Sequence, residues 1–79
     1  MAAPSWYRQQ PHSPYQVYDA PTIMDIQRTL SCPETGEMDA TTINHIKGLQ
    51  YAASIPATGR IDIRTAEAIQ TMRDRFTTG

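Results

Sequence analysis

The chain has 79 residues, of which 39% are hydrophobic and 19% charged, with seven basic and eight acidic side chains and a formal net charge of −1. That length bounds it to one domain near the lower limit of a self-sufficient core. Mixed charge excludes the basic stripe of a nucleic-acid platform, and no apolar run approaches the roughly 20 residues that span a bilayer.

Residues 1–21 differ from the rest. They hold four of the six prolines (Pro4, Pro11, Pro14, Pro21) and four of the six aromatics (Trp6, Tyr7, Tyr15, Tyr18). Proline at this density disfavours helix and central strand and favours an extended path. Aromatic anchors of this kind dominate protein interfaces. The segment therefore reads as a docking arm that lies along a larger structural protein or a homo-oligomeric assembly through Trp6, Tyr7, Tyr15 and Tyr18. The alternative is an arm that folds back over its own body. The start of the chain has no basic stretch followed by an apolar one, so no secretory signal is expected.

From residue 22 the pattern turns helical. Ile23, Ile26 and Leu30 mark one face of a short helix, with Thr22 as its expected cap and Asp25 at the third helical position. Pro33 and Gly36 end it. Cys32 falls at that end; as a lone cysteine it excludes an internal disulfide and is expected to be a half-buried small hydrophobe. A second helix is expected over about 40–53, with Ile43, Ile46, Leu49 or Gln50, and Ala53 inward. Gly48 inside it suggests close approach of another helix or of a ligand, with close packing as the first reading. A loop follows, with Ile55 tucked in. Ala66, Ile69, Met72 and Phe76 mark a third helix over about 63–76. The fold class is all-α: a compact three-helix bundle over residues 22–79, preceded by the extended arm of residues 1–21.

One phrase occurs twice. Thr35-Gly36-Glu37-Met38-Asp39-Ala40-Thr41-Thr42 returns further along the chain as Thr58-Gly59-Arg60-Ile61-Asp62-Ile63-Arg64-Thr65. The glycines permit a sharp reversal. Met38 and Ile61 turn an apolar side chain inward. Asp39 and Asp62 are suited to capping a helix, and Thr42 and Thr65 can reach back to the cap. The device is structural before it is functional.

Nothing in the chain has the form of a catalytic constellation or a phosphate loop. His12 and His45 each stand alone, so no metal, no cofactor and no enzymatic activity are expected. Arg60, Arg64, Arg73 and Arg75 are interleaved with Asp62, Glu67 and Asp74, which reads as a solvated helix face.

The motifs resemble those of peptidoglycan-binding-like domains. Ile26-Gln27 and Leu30 are similar to the opening L-Q-x-x-L of that family. The first copy of the repeated phrase resembles the central G-x-φ-D-x-x-T, with φ an apolar residue. Leu49-Gln50 and the run from Ile55 to Thr65 resemble the closing F-Q and G-L-x-x-T-G-x-φ-D-x-x-T. The likeness covers about residues 22–72. Leu49 departs from the usual phenylalanine, and Cys32-Pro33-Glu34 from the usual glycine- and aromatic-rich stretch. The resemblance implies a non-catalytic three-helix module used in cell-wall targeting, metalloprotease prodomains and tailed phages. With the arm, it points first to an accessory virion protein of a tailed phage, assembled in the host cytoplasm: minor capsid, decoration, connector or tail component. The alternatives are a peptidoglycan recognition module, with Asn44, His45, Gln50 and Tyr51 as candidate wall-binding residues, and a cytosolic interaction adaptor. Neither nucleic acid nor membrane is expected as a partner.

Overall fold

Each helix begins on the same four-residue device. The carboxylate of Asp19 accepts from the Thr22 N–H at 3.2 Å, that of Asp39 from Thr42 at 2.9 Å, and that of Asp62 from Thr65 at 2.8 Å. An aspartate one residue before the first turn satisfies an amide that the helix leaves without a partner, at the positive end of its dipole. The residue before each aspartate is buried: Tyr18, Met38 and Ile61. In this computed structural model, which describes residues 3–9 and 17–78 (side chains to residue 75), the device starts α1 Ala20–Thr29, α2 Ala40–Ala52 and α3 Ile63–Thr78. The cap of α1 is Asp19 rather than the expected Thr22, which instead supplies the N–H. Pro21 is accommodated because the first turn needs no donor there.

Both connections also stop their helices in one way. The Cys32 N–H donates to the Gln27 carbonyl and the Ser31 N–H to that of Arg28; Ile55 and Ser54 repeat this on Gln50 and Tyr51. That pairing is a Schellman ending, which needs one left-handed residue. Ser31 (φ 60°) and Ser54 (φ 59°) fill that place. Pro33 and Pro56 then prevent continuation.

The helices enclose one core. Ile23, Ile46 and Ile69, evenly spaced along the chain, are fully buried, with Ile26, Leu30, Ile43 and Ala66 around them. Among the described residues there is no strand, so the chain is an all-α three-helix bundle. Residues 3–9 lie on this body: Trp6, Tyr7 and Val17 pack against the core, and Tyr18 belongs to it. The body thus begins before residue 22.

Gly48 departs from expectation. Nothing stands within 4 Å of the place a Cβ would take, so no neighbouring helix explains it. Gly59 is the opposite case. Its φ is +79°, and a Cβ would come 2.8 Å from Ile43 Cγ2. Ala53 is exposed, and the inward place at that end of α2 goes to Gln50 and, in part, to Leu49.

Candidate functional site

The most conspicuous polar groups are buried and repeated. Gln27 and Gln50, at the same place in the two helix–loop units, are both fully buried. The Gln27 amide nitrogen lies 2.9 Å from Thr35 Oγ1, the Glu37 carbonyl and Thr42 Oγ1, and its oxygen accepts from the Gly36 N–H at 3.0 Å. Gln50 repeats this, donating to the Arg60 carbonyl at 2.7 Å and Thr65 Oγ1 at 3.0 Å and accepting from the Gly59 N–H at 2.9 Å. Each glutamine pins the loop that follows it to the start of the next helix. A buried amide is tolerated only where its donors and acceptors are engaged. These glutamines are structural plugs, and the expected wall-contacting role of Gln50 is corrected accordingly: it has no surface to offer.

The arm residues are placed as follows. Trp6 is half-buried, and its indole N–H donates to Gln70 Oε1 at 2.7 Å. Its ring meets Tyr18 edge-on, with centroids 5.8 Å apart. The Tyr18 hydroxyl donates to the Arg8 carbonyl at 3.0 Å and accepts from the Arg8 N–H at 3.1 Å. Burial raises its pKa above the ordinary tyrosine value. Tyr7 is half-buried; Tyr15 lies outside the described residues, as do His12 and the side chain of Phe76. The fold-back arrangement holds over residues 3–9 and 17–18. Trp6 and Tyr18 are used within their own domain, not held out as free anchors.

Asn44, His45 and Tyr51 are all exposed on α2. His45 Nδ1 lies 2.9 Å from the Thr41 carbonyl one turn earlier. Tyr51 is 83% exposed, against 49% for Ile63, the other large hydrophobic left out of the core among the described residues. Helical spacing puts Asn44, Gly48 and Tyr51 in one row, with His45 beside it.

An open cleft of about 230 Å³ lies between the arm and the second loop, lined by Tyr7, Gln9, Thr58, Arg60, Ile61 and Asp62. Among the described residues no group of three or more His, Cys, Asp or Glu side chains is placed to hold a metal ion. Cys32 is buried, and burial raises its thiol pKa, so the reactive thiolate is suppressed. Among the described residues no helix is long and apolar enough to cross a membrane.

Comparison with known proteins finds no match: no family model, no curated protein and no solved structure. The resemblance to peptidoglycan-binding-like domains rests on the motifs alone.

Proposed function

We propose that this chain is a non-catalytic module that acts by binding, as an accessory component of a larger protein assembly. One observation carries this reading. The recurring glutamines and the threonines they meet are buried and engaged with one another, so among the described residues the exposed face of α2, with Tyr51, is the surface on which this reading rests. Tyr51 is 83% exposed on α2, and a tyrosine ring in such a place can supply contact area at an interface. The motif resemblance makes an accessory virion protein of a tailed phage the leading form of this reading. Attachment by the arm in the manner first expected requires Trp6 to leave Gln70 and Tyr18 to leave Arg8, so the α2 face is the better anchor. Native copurification tests the proposal. The chain is expected in a particle far larger than its own 8.9 kDa, together with a structural protein. Recovery of the free chain alone overturns it.

A second reading is recognition of peptidoglycan. It is favoured by the common exposure of Asn44, His45 and Tyr51 on α2, a polar row ending in a ring on which a sugar can stack. Purified cell wall should then pellet the chain, and Tyr51→Ala should reduce the pelleted fraction severalfold. Equal pelleting of both proteins, or none of either, removes this reading.

A further inference from the structure

The two copies of the helix–loop unit align position by position, so each is a control for the other. In the first copy, three surface positions hold a charge network. Arg28 Nη2 pairs with Glu34 at 2.8 Å, Arg28 Nη1 with Asp25 at 3.7 Å, and Asp25 in turn with Arg73 of α3 at 3.6 Å. The positions equivalent to Asp25, Arg28 and Glu34 in the second copy are Gly48, Tyr51 and Ala57, all exposed. The fold does not require this change, because the first copy builds the same Schellman ending and the same glutamine plug with charges in place. From Gly48 to Gly59 the chain carries no charge at all. At its rim stand two exposed cations, Lys47 and Arg60. Their equivalents in the first copy are Met24 and Glu37. The first face therefore carries mixed charge with a small acidic excess (Asp25, Glu34 and Glu37 against Arg28 and Arg73), and the second is uncharged with a basic rim.

We infer that the second face docks on the first face of another copy of this chain, head to tail. Tyr51 then lies over the Arg28–Glu34 pair and the exposed Pro33 of the neighbour. Lys47 and Arg60 meet Glu34 and Glu37. Gly48, with no side chain and open space above it, lets the neighbour's loop approach the helix backbone. Unlike charges across such a contact set its register, and an aromatic over a guanidinium anchors its centre. The two faces are different surfaces, so the contact is heterologous and builds a ring or a filament rather than a closed pair. This rests on the assembly reading above and specifies the surface and the partner.

The test is sedimentation of the purified full chain over a wide concentration range. The average mass is expected to climb with concentration and to fall back at about 1 M salt, where the screening length shrinks to about 3 Å. The variant Gly48→Asp/Tyr51→Arg/Ala57→Glu gives the second copy the residues of the first. It should fold and melt normally, yet associate about tenfold more weakly or not at all. Lys47→Glu and Glu34→Lys should each weaken self-association, and a mixture of the two should restore heterotypic pairs. A wild-type chain that stays monomeric throughout overturns the inference, as does association that the triple variant leaves intact. If the pure chain is monomeric but native copurification still recovers a large particle, the self-docking surface fails while the assembly reading stands.

Discussion

At the residue scale the two buried glutamines decide most. An amide removed from water costs several kcal/mol unless its hydrogen bonds are remade inside. Here each amide meets both a main-chain N–H and a carbonyl of the following loop, plus a threonine hydroxyl of the next helix. Replacement by methionine keeps the volume and strands those partners. Gln27→Met and Gln50→Met are each expected to lose about 3 kcal/mol in urea unfolding, and by similar amounts because the plugs are equivalent. A much smaller loss in either would mean that its loop is held by something else. Sequence reading finds the repeated Thr-Gly phrase but not its keystone. Helical spacing leaves the inward place at the end of α2 open between Leu49 and Gln50, and gives Gln27 no sign, because a glutamine inside a helical pattern looks like solvent-facing surface. The signal is its offset: each glutamine stands at the same distance before the threonine that opens the phrase, Gln27 before Thr35 and Gln50 before Thr58. Gly48 reads as a packing glycine until the open space above it is seen.

The elements are more legible than the residues that hold them. The isoleucine spacing places all three helices, because a 3–4 pattern of apolar residues survives whatever the loops do. The start of α1 is harder, because Pro21 and the aromatics draw Tyr18 and Asp19 into the arm. Yet Tyr18-Asp19-Ala20-Pro21-Thr22 is a third instance of the apolar-D-x-x-T start. Two predictions belong here. In the monomeric chain Gly48→Ala is expected to stabilise α2 by up to about 1 kcal/mol, since no group of the same chain stands near enough to require the glycine. For a domain of this size that is a rise of roughly 4–8 °C in melting temperature; a fall would reveal a contact that the exposed face conceals. The second concerns acid. Hydrogen bonds from Thr22 and Thr42, side chain and main chain, hold the Asp19 and Asp39 carboxyls below the ordinary aspartate range. A carboxyl depressed in the folded chain contributes stability above its unfolded pKa of about 3.9, and that contribution disappears as pH falls through the folded value. Stability should therefore drop on acidification below about pH 4. Asp19→Asn/Asp39→Asn, which keeps the caps without titrating, should flatten that limb in melts taken across the range.

For the whole molecule, the arm is the part that local reading does not settle. Its composition is that of a docking segment, and its described residues do dock, but on their own body. The contact that shows this joins Trp6 to Gln70, 64 residues away; no window along the chain contains both. Trp6→Ala should cost about 2 kcal/mol, less than a fully buried tryptophan because the ring is only half-covered. Trp6→Phe, which keeps a smaller aromatic ring and loses the N–H, should cost about 1 kcal/mol. If neither variant shifts the unfolding midpoint, the arm is not part of the cooperative unit. The α2 face, by contrast, follows from comparing the two copies position by position, a comparison that needs the boundaries of both loops before it can be made.

The span between Trp6 and its acceptor also has a temporal meaning. At translation rates of about 5–20 residues per second, those 64 residues take roughly 3–13 s to be made. Throughout that interval the indole already exists and the glutamine that will receive it does not. During synthesis the aromatics around Trp6 are thus open to chaperones and neighbouring polysomes once they emerge, and the growing chain is stickier there than the finished one.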